Sequence, residues 1–532
     1  MFVRVSSGVL GGILLFLCGF AAHSQDAAAP ASELRTLYDL DPTTNSRLIE
    51  AGSSADLLTF DIAPNASPAA ARLALAVRGA AQGEGELTLV VNGRRAAQLT
   101  VNAIDNTLFE IDGSLLRAGS NTIAVTAPSG DGDWLVDGRR SRLQLQFADL
   151  GQPETLADLE LALAADFGGL RRIAIEDTRG PRAVEVLSAQ AIALRAGRVP
   201  LFTHDRANAD LVVVFESAPN AELTGPEVSL ADDHGLQIRI RGRNTTETEA
   251  AARLFAARSF EGLGPRFTIA EALAAPRLSR TALVSADSDG TGLSRFVRES
   301  HPFGADRGAR TAVVLDEFEG DTRLAAFSIL SRAALTTGEA WIYAAYREDS
   351  RAVHDDQHLV VIGPDITEDR AFMDRVPDEM RAALRAADRA VGRRSGFRLA
   401  ASAYAEAETD QAEQGDPSGV AAVFEDPSEA GRWIAAFTAP DNTSFADAAA
   451  TLARSDLWLS LQGRAAFWTA AGITPFDFTP APAPSLRERA GELNFYPREF
   501  AMAFFTLALL FVMRGMWLRR RRRVHAMSKA SR

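Results

Sequence analysis

The stretch that most constrains this chain lies near its C-terminal end. From Phe500 to Met513 every side chain is apolar or Thr, and after Arg514 the run Gly515, Met516, Trp517, Leu518 continues to Arg519. That makes about 19 residues, close to the ~20 an α-helix needs to cross ~30 Å of hydrocarbon. Arg514 lies about a turn from the end, so its long stem can carry the guanidinium to the interface. Five arginines follow, Arg519 to Arg523, and then a short basic tail. Positive residues stay on the cytoplasmic side. The pattern therefore predicts a single transmembrane helix at 499–518, a basic cytoplasmic tail at 519–532, and a large extracytoplasmic body before them. A buried soluble helix would instead have to bury an arginine cluster at its mouth.

The other end agrees. Arg4 supplies a small positive region, Val9 to Ala22 an apolar core, and Ala22-His23-Ser24 the small residues a signal peptidase reads. Residues 1–24 are thus expected to be a signal peptide, either cleaved near Ser24 or kept as an N-terminal anchor. The sole cysteine, Cys18, lies inside this segment. Cleavage would leave no thiol, which excludes disulfides, thiolate nucleophiles and cysteine-based zinc sites. Stability must then come from core burial, with 47% hydrophobic residues to supply it. A formal charge of −13 despite the basic tail, with no basic stripe interleaved with aromatics, argues against nucleic acid as a partner.

Residues 34–148 read as all-β. Short β-rich runs recur at 57–62, 72–77, 86–91, 108–111, 123–125 and 142–147, separated by turn residues. Asn92-Gly93 is the strongest of these turns, because both positions tolerate the positive φ of a type I′ hairpin. Such spacing indicates a jelly roll or β-sandwich. Residues 150–262 alternate between strands (173–175, 211–215, 236–240) and helices (156–163, 183–196, 245–257), with Thr246 and Glu249 spaced as a capping box. This pattern predicts a parallel sheet covered on both faces, a doubly wound, flavodoxin-like α/β domain. A connector rich in Ser, Asp and Gly spans 264–305. A second α/β pattern fills 306–475, with strands at 311–315, 341–343, 358–363, 420–424 and 433–437 and helices at 321–337, 378–391 and 445–452. After a Pro-rich hinge, Ser485 and Glu488 cap a short helix at 485–497 whose Leu486, Ala490 and Leu493 share one face. A helix of that kind just before a span lies in the membrane interface or serves as a tether.

This order resembles the periplasmic B subunit family of bacterial cellulose synthase. Two stretches carry the likeness. Leu87 to Phe147 contains LTLVVNGRR, LLRAGSNTIAV and DWLVDGRRSRLQL, similar to the first carbohydrate-binding jelly roll of that family. Trp433 to Trp468, WIAAFTAPDNTSFADAAATLARSDLWLSLQGRAAFW, is similar to the end of its second flavodoxin-like domain. Members usually carry another carbohydrate-binding domain between the two α/β domains. The roughly 40-residue connector here cannot hold one, so the chain looks like a reduced member or a relative serving another exopolysaccharide synthase. The resemblance implies a non-enzymatic subunit that binds no cofactor, contacts a catalytic glycosyltransferase and membrane lipid, and guides a nascent polysaccharide. The partner contacts would fall on Leu486, Leu493, Phe500, Phe504 and Arg514.

For sugar contact the best aromatic platform is Trp134, in the loop Asp131-Gly132-Asp133-Trp134, with Asn92, Asp133 and Asp137 as polar neighbours. The competing reading of Trp134 is a plug of the sandwich core. Trp341, Trp433, Trp458 and Trp468 sit in apolar patterns and read as core. His354-Asp355-Asp356-Gln357-His358 reads as a polar loop feeding a strand rather than a metal site, since residues four apart converge on a helix and not there. Behind the first strand of each α/β segment come acids, Glu176-Asp177 and Asp316-Glu317, where a phosphate-binding loop would be needed. No catalytic motif stands out. Two other classes stay open: an anchored extracytoplasmic binding or sensor module unrelated to a synthase, and a carbohydrate-active enzyme.

Overall fold

The computed structural model describes residues 31–475, apart from 42–45, 80–83, 103–106, 128, 130–132, 178–181, 218–222, 234, 282–291, 316–317, 349–353, 355, 365, 367–368, 379, 382–383, 385–418, 440 and 470–471. The expected signal peptide, interfacial helix, span and tail all lie outside the described residues. Among the described residues, no helix is long and apolar enough to cross a membrane. These residues form two compact units: one up to Arg171 together with Phe260–Arg266, and one from Arg172 to Ser259 and from Phe267 onward.

The first unit is an antiparallel β-sandwich. Its strands are β1 (Ser32–Thr36), β2 (Ser46–Ile49), β3 (Ser54–Ile62), β4 (Ala66–Leu75), β5 (Val77–Gly79), β6 (Glu84–Val91), β7 (Arg94–Asn102), β8 (Thr107–Asp112), β9 (Gly119–Thr126), β10 (Trp134–Asp137) and β11 (Arg142–Leu150). They pair as β1-β11-β4-β8, β3-β9-β6-β7 and β2-β10-β5. Alternation along β11 buries Leu143, Leu145 and Phe147 while Arg142, Gln144 and Gln146 face outward. One core results, joining these side chains to Leu73, Phe109, Leu87, Leu89, Val91, Phe60, Ile123, Val125 and Trp134. The turn from β6 to β7 follows its sequence signal, with Asn92 at φ 51° and Gly93 at φ 76°. Two helices, α1 (Leu37–Leu40) and α2 (Leu156–Ala164), each start at a threonine capping box. Phe167, after α2, packs edge-on against Phe60 at 5.5 Å.

The second unit holds two mixed sheets. The first contains β12 (Arg172–Ile175), β13 (Leu201–Thr203), β14 (Leu211–Ser217), β15 (Glu227–Ala231), β16 (Gln237–Gly242) and β17 (Arg266–Thr268), in the order β13-β12-β14-β16-β15-β17. Strands β12, β13, β14 and β16 are parallel and β15 runs against β16. The helices are α3 (Arg182–Ala196), α4 (Thr245–Ala257) and α5 (Ile269–Ala274). The second sheet follows α6 (Leu293–Glu299) and has β18 (Thr311–Leu315), β19 (Ala345–Arg347), β20 (His358–Ile362), β21 (Gly419–Glu425), β22 (Trp433–Thr438), β23 (Ala465–Thr469) and β24 (Gly472–Pro475). Its order is β19-β18-β20-β22-β21-β23-β24, with β21, β23 and β24 antiparallel. Its helices are α7 (Gly320–Thr337), α8 (Arg370–Met373), α9 (Asn442–Leu452) and α10 (Ser455–Ser460).

Several expectations change here. Neither sheet is purely parallel, because a hairpin strand inserts beside β16 and another beside β22. One face of the first sheet bears a charged ladder in which Arg241 reaches Glu216 at 2.9 Å and Glu227 at 3.4 Å, and Arg239 pairs with Glu216 and Asp233. The cap of α4 is Asn244, whose side chain accepts from the Glu247 amide at 3.0 Å, in place of the Thr246–Glu249 box. Trp341-Ile342-Tyr343 is a turn, and the strand starts two residues later at Ala345. Trp341 is fully buried, so its apolar run marks an anchor and not a strand.

Helix α3 organises the unit. Every residue from Ala183 to Ala196 is buried, as expected of a helix packed on all sides. It lies beside α7, with Glu185 against Arg323 and Gln190 against the Leu330 carbonyl. These contacts ascend both helices together, so the two run parallel. Gln190 also accepts from the Trp341 amide at 3.0 Å.

His358 opens β20 and is 8% exposed. Its Nδ1 accepts from the Trp433 amide at 3.2 Å, and its ring meets Phe303 edge-on at 5.8 Å. Burial pushes its pKa below the ordinary 6.5, and the charges of Arg310, His301 and Arg432 push the same way. A depressed histidine stabilises the fold fully above the unfolded pKa, and that contribution is lost as pH falls, because the unfolded chain takes the proton more readily. The thermal midpoint should therefore drop between about pH 7 and about pH 5. His358→Asn keeps an acceptor at that position and should flatten the slope. It should not abolish it, since burial also lowers the pKa of His301. An unchanged slope in the variant would refute the assignment.

Candidate functional site

The four residues singled out for sugar contact do not form one site. Trp134 is the first residue of β10, not a loop residue, and is only 2% exposed. Its ring lies in the sandwich core, so it presents no face to a sugar. Alternation decides this, because β10 pairs on both sides and turns Trp134 and Val136 inward. Asn92 sits in another sheet and is consumed by the fold. Its Nδ2 donates to the Leu115 carbonyl at 2.9 Å and to Asn121 Oδ1 at 2.8 Å, while its Oδ1 accepts from the Thr122 amide at 2.9 Å. Asp133 accepts from the Ala51 amide at 3.0 Å, and Asp137 from the amides of Arg139 and Arg140 at 3.1 and 3.2 Å. Leu486, Leu493, Phe500, Phe504 and Arg514 lie outside the described residues.

The structure offers a different aromatic. Among the described residues of this unit, Phe60, Phe109, Trp134, Phe147, Phe167 and Phe260 are buried, and Tyr38 alone is half-buried. Its amide donates to the Gly138 carbonyl at 3.1 Å, and Arg139 stands over its ring at 4.5 Å. Asp137, which shapes the turn carrying Arg139, belongs to the same corner. Sequence reading passed over Tyr38 because it sits on a one-turn helix more than 90 residues from the turn that meets it.

A second cluster occupies the strand ends of the α/β unit. Arg323 of α7 reaches Asp177, behind β12, at 3.1 Å and Glu185 of α3 at 3.5 Å. His204 lies 3.5 Å from the same guanidinium and 3.7 Å from Asp321. Arg182 bonds the Leu315 carbonyl at 2.6 Å and pairs with Glu348 at 3.1 Å. Open α/β sheets bind ligands just beyond the carboxyl ends of their strands. Among the described residues, the chain's own charged side chains stand at the ends of β12 and β18. Among the described residues, no group of acids, histidines or cysteines is placed to hold a metal.

A third feature is a cleft of about 450 Å³ lined by residues 198–202, by Asp321, Leu324, Ala325, Ser328 and Arg332 of α7, and by Ala446, Ala449, Ala450, Ala453 and Arg454. Arg332 is 5% exposed and donates through Nε to the Ala453 carbonyl at 3.1 Å. Burial lowers its pKa to about 10, with the charge of Asp456 acting in the opposite direction.

No family model matches the chain, and no curated protein matches it. Parts of it are similar to solved structures. One is a family 35 carbohydrate binding module from an environmental isolate, at 23% identity over 18% of this chain and 65% of that one, TM-score 0.14. Another is CBM35 from Cellvibrio japonicus Abf62, at 16% identity over 18% and 66%, TM-score 0.15. A third is a family 35 module from Clostridium thermocellum, at 15% identity over 22% and 98%, TM-score 0.15. The chain spans just under two thirds of the first two. Likenesses of this size carry no argument about what the chain binds.

Proposed function

We propose that the chain is a non-catalytic, membrane-anchored periplasmic subunit of an inner-membrane synthase for cellulose or a related exopolysaccharide. In this reading the C-terminal span and the helix before it pack against the glycosyltransferase. The two α/β sheets act as flavodoxin-like scaffolds without cofactor, and the sandwich guides the emerging glucan. The observation that supports it best is the set of charged contacts at the ends of β12 and β18, where Arg323 reaches Asp177 and Glu185 and Arg182 reaches the Leu315 carbonyl, because acids there would repel a phosphate. The anchor rests on the apolar run and arginine cluster at 500–523. Sugar contact falls to the Tyr38–Arg139 corner in place of Trp134.

The test is a gentle-detergent pull-down of C-terminally tagged protein, with and without residues 485–523. Recovery of a multi-span glycosyltransferase that disappears on truncation is the expected result. Failure to recover any synthase with the intact chain would overturn the reading in favour of an anchored binding module.

A further inference from the structure

The cleft on α7 contains a buried cation, Arg332, that is 5% exposed and has no ion-pair partner among the described residues. Its recorded hydrogen bonds go to a single neutral acceptor, the Ala453 carbonyl. The one acid acting on it, Asp456, already pairs with Arg454 at 3.0 Å. A buried cation without a counter-ion is costly, and an anionic ligand would supply the missing charge. The surroundings say what else that ligand carries. Ala446, Ala449, Ala450 and Ala453 recur at helical spacing and so form one small-residue face. Val199, Pro200, Leu201, Phe202, Leu324 and Ala325 complete an apolar lining. Leu201 is 62% exposed, a large apolar side chain left open at the cleft. Arg198 and Arg454 add positive charge, and Asp321 is the single acid in the lining.

We propose that this cleft binds a small amphipathic carboxylate, its head paired with Arg332 and its apolar body laid on the alanine face of α9. A guanidinium matches a carboxylate in a two-point geometry. A bare phosphate would satisfy the charge but leave the apolar lining unused. About 450 Å³ falls in the range of small-ligand sites. The proposal stands independently of the synthase reading, since it involves neither the anchor nor the sandwich.

The test titrates full-length protein in detergent with 2-naphthoate, 2-naphthamide and inorganic phosphate by calorimetry, against a detergent blank. Naphthoate is expected to saturate one site per chain, with the neutral amide and phosphate each at least about tenfold weaker. Arg332→Met should weaken naphthoate about 10- to 100-fold, with circular dichroism and the thermal midpoint checking that loss of its hydrogen bonds to the Ala453 carbonyl leaves the chain folded. Ala450→Phe, at an exposed position on the alanine face, should block the body of the ligand without touching Arg332. Equal binding of naphthoate and naphthamide, equal binding of phosphate, or naphthoate binding unaffected by both substitutions would each overturn the proposal.

Discussion

Trp134→Ala should destabilise the β-sandwich by about 3–5 kcal/mol, the cost of emptying a large aromatic site in a packed core. The ring is 2% exposed and belongs to the cluster that joins all three sheets. Strand β10 is the middle strand of its sheet, so its neighbours β2 and β5 cannot move in to fill the space without giving up pairing. Trp134→Phe should cost less, since the ring plane is kept; Nε1 makes no hydrogen bond among the described residues, so no donor is lost. Denaturant unfolding followed on the sandwich transition measures both. An unchanged midpoint for the alanine variant, together with lost sugar binding, would reinstate Trp134 as a surface platform. Tyr38→Ala offers the contrast, with a small stability effect expected from a half-buried side chain on a one-turn helix.

Arg323→Met should cost about 3–5 kcal/mol in the α/β unit, because it leaves Glu185, 2% exposed, without the cation it faces. The figure reflects the loss of a charged partner by a buried carboxylate and not the net worth of the pair. Adding Glu185→Leu to Arg323→Met should therefore recover much of the loss, as replacing a buried ion pair with apolar side chains is often neutral. A double-mutant cycle read by chemical denaturation separates the two contributions. If the single variant lost less than about 1 kcal/mol, the pair would be behaving like a solvated surface contact and would not be what holds α3 to α7.

These two sites also show what can be read without the fold. The limits of α4 at 245–257 and of β18 at 311–315 match the sequence pattern, because a helical period between polar breaks and a short β-branched run between turns are local signals. The Asn92-Gly93 turn was legible for the same reason. Acids behind β12 were visible as a bar to phosphate, but their partner Arg323 was not, lying about 146 residues further along. Strand β10 was missed because four residues, two of them buried, carry too little alternation to stand out from the turns around them.

The sequence by itself determined the local elements, the all-β and then α/β succession, and the apolar run that predicts the anchor, since each depends on neighbours within a few turns of chain. Tertiary structure alone decided which face Trp134 turned to, that hairpin strands would make both α/β sheets mixed, and that α3 and α7 would lie parallel around Glu185 and Arg323. It also gathered Arg332 and four alanines into one cleft. Strand register and helix pairing are set by burial between distant segments, and burial of that kind leaves no mark on any short stretch of sequence.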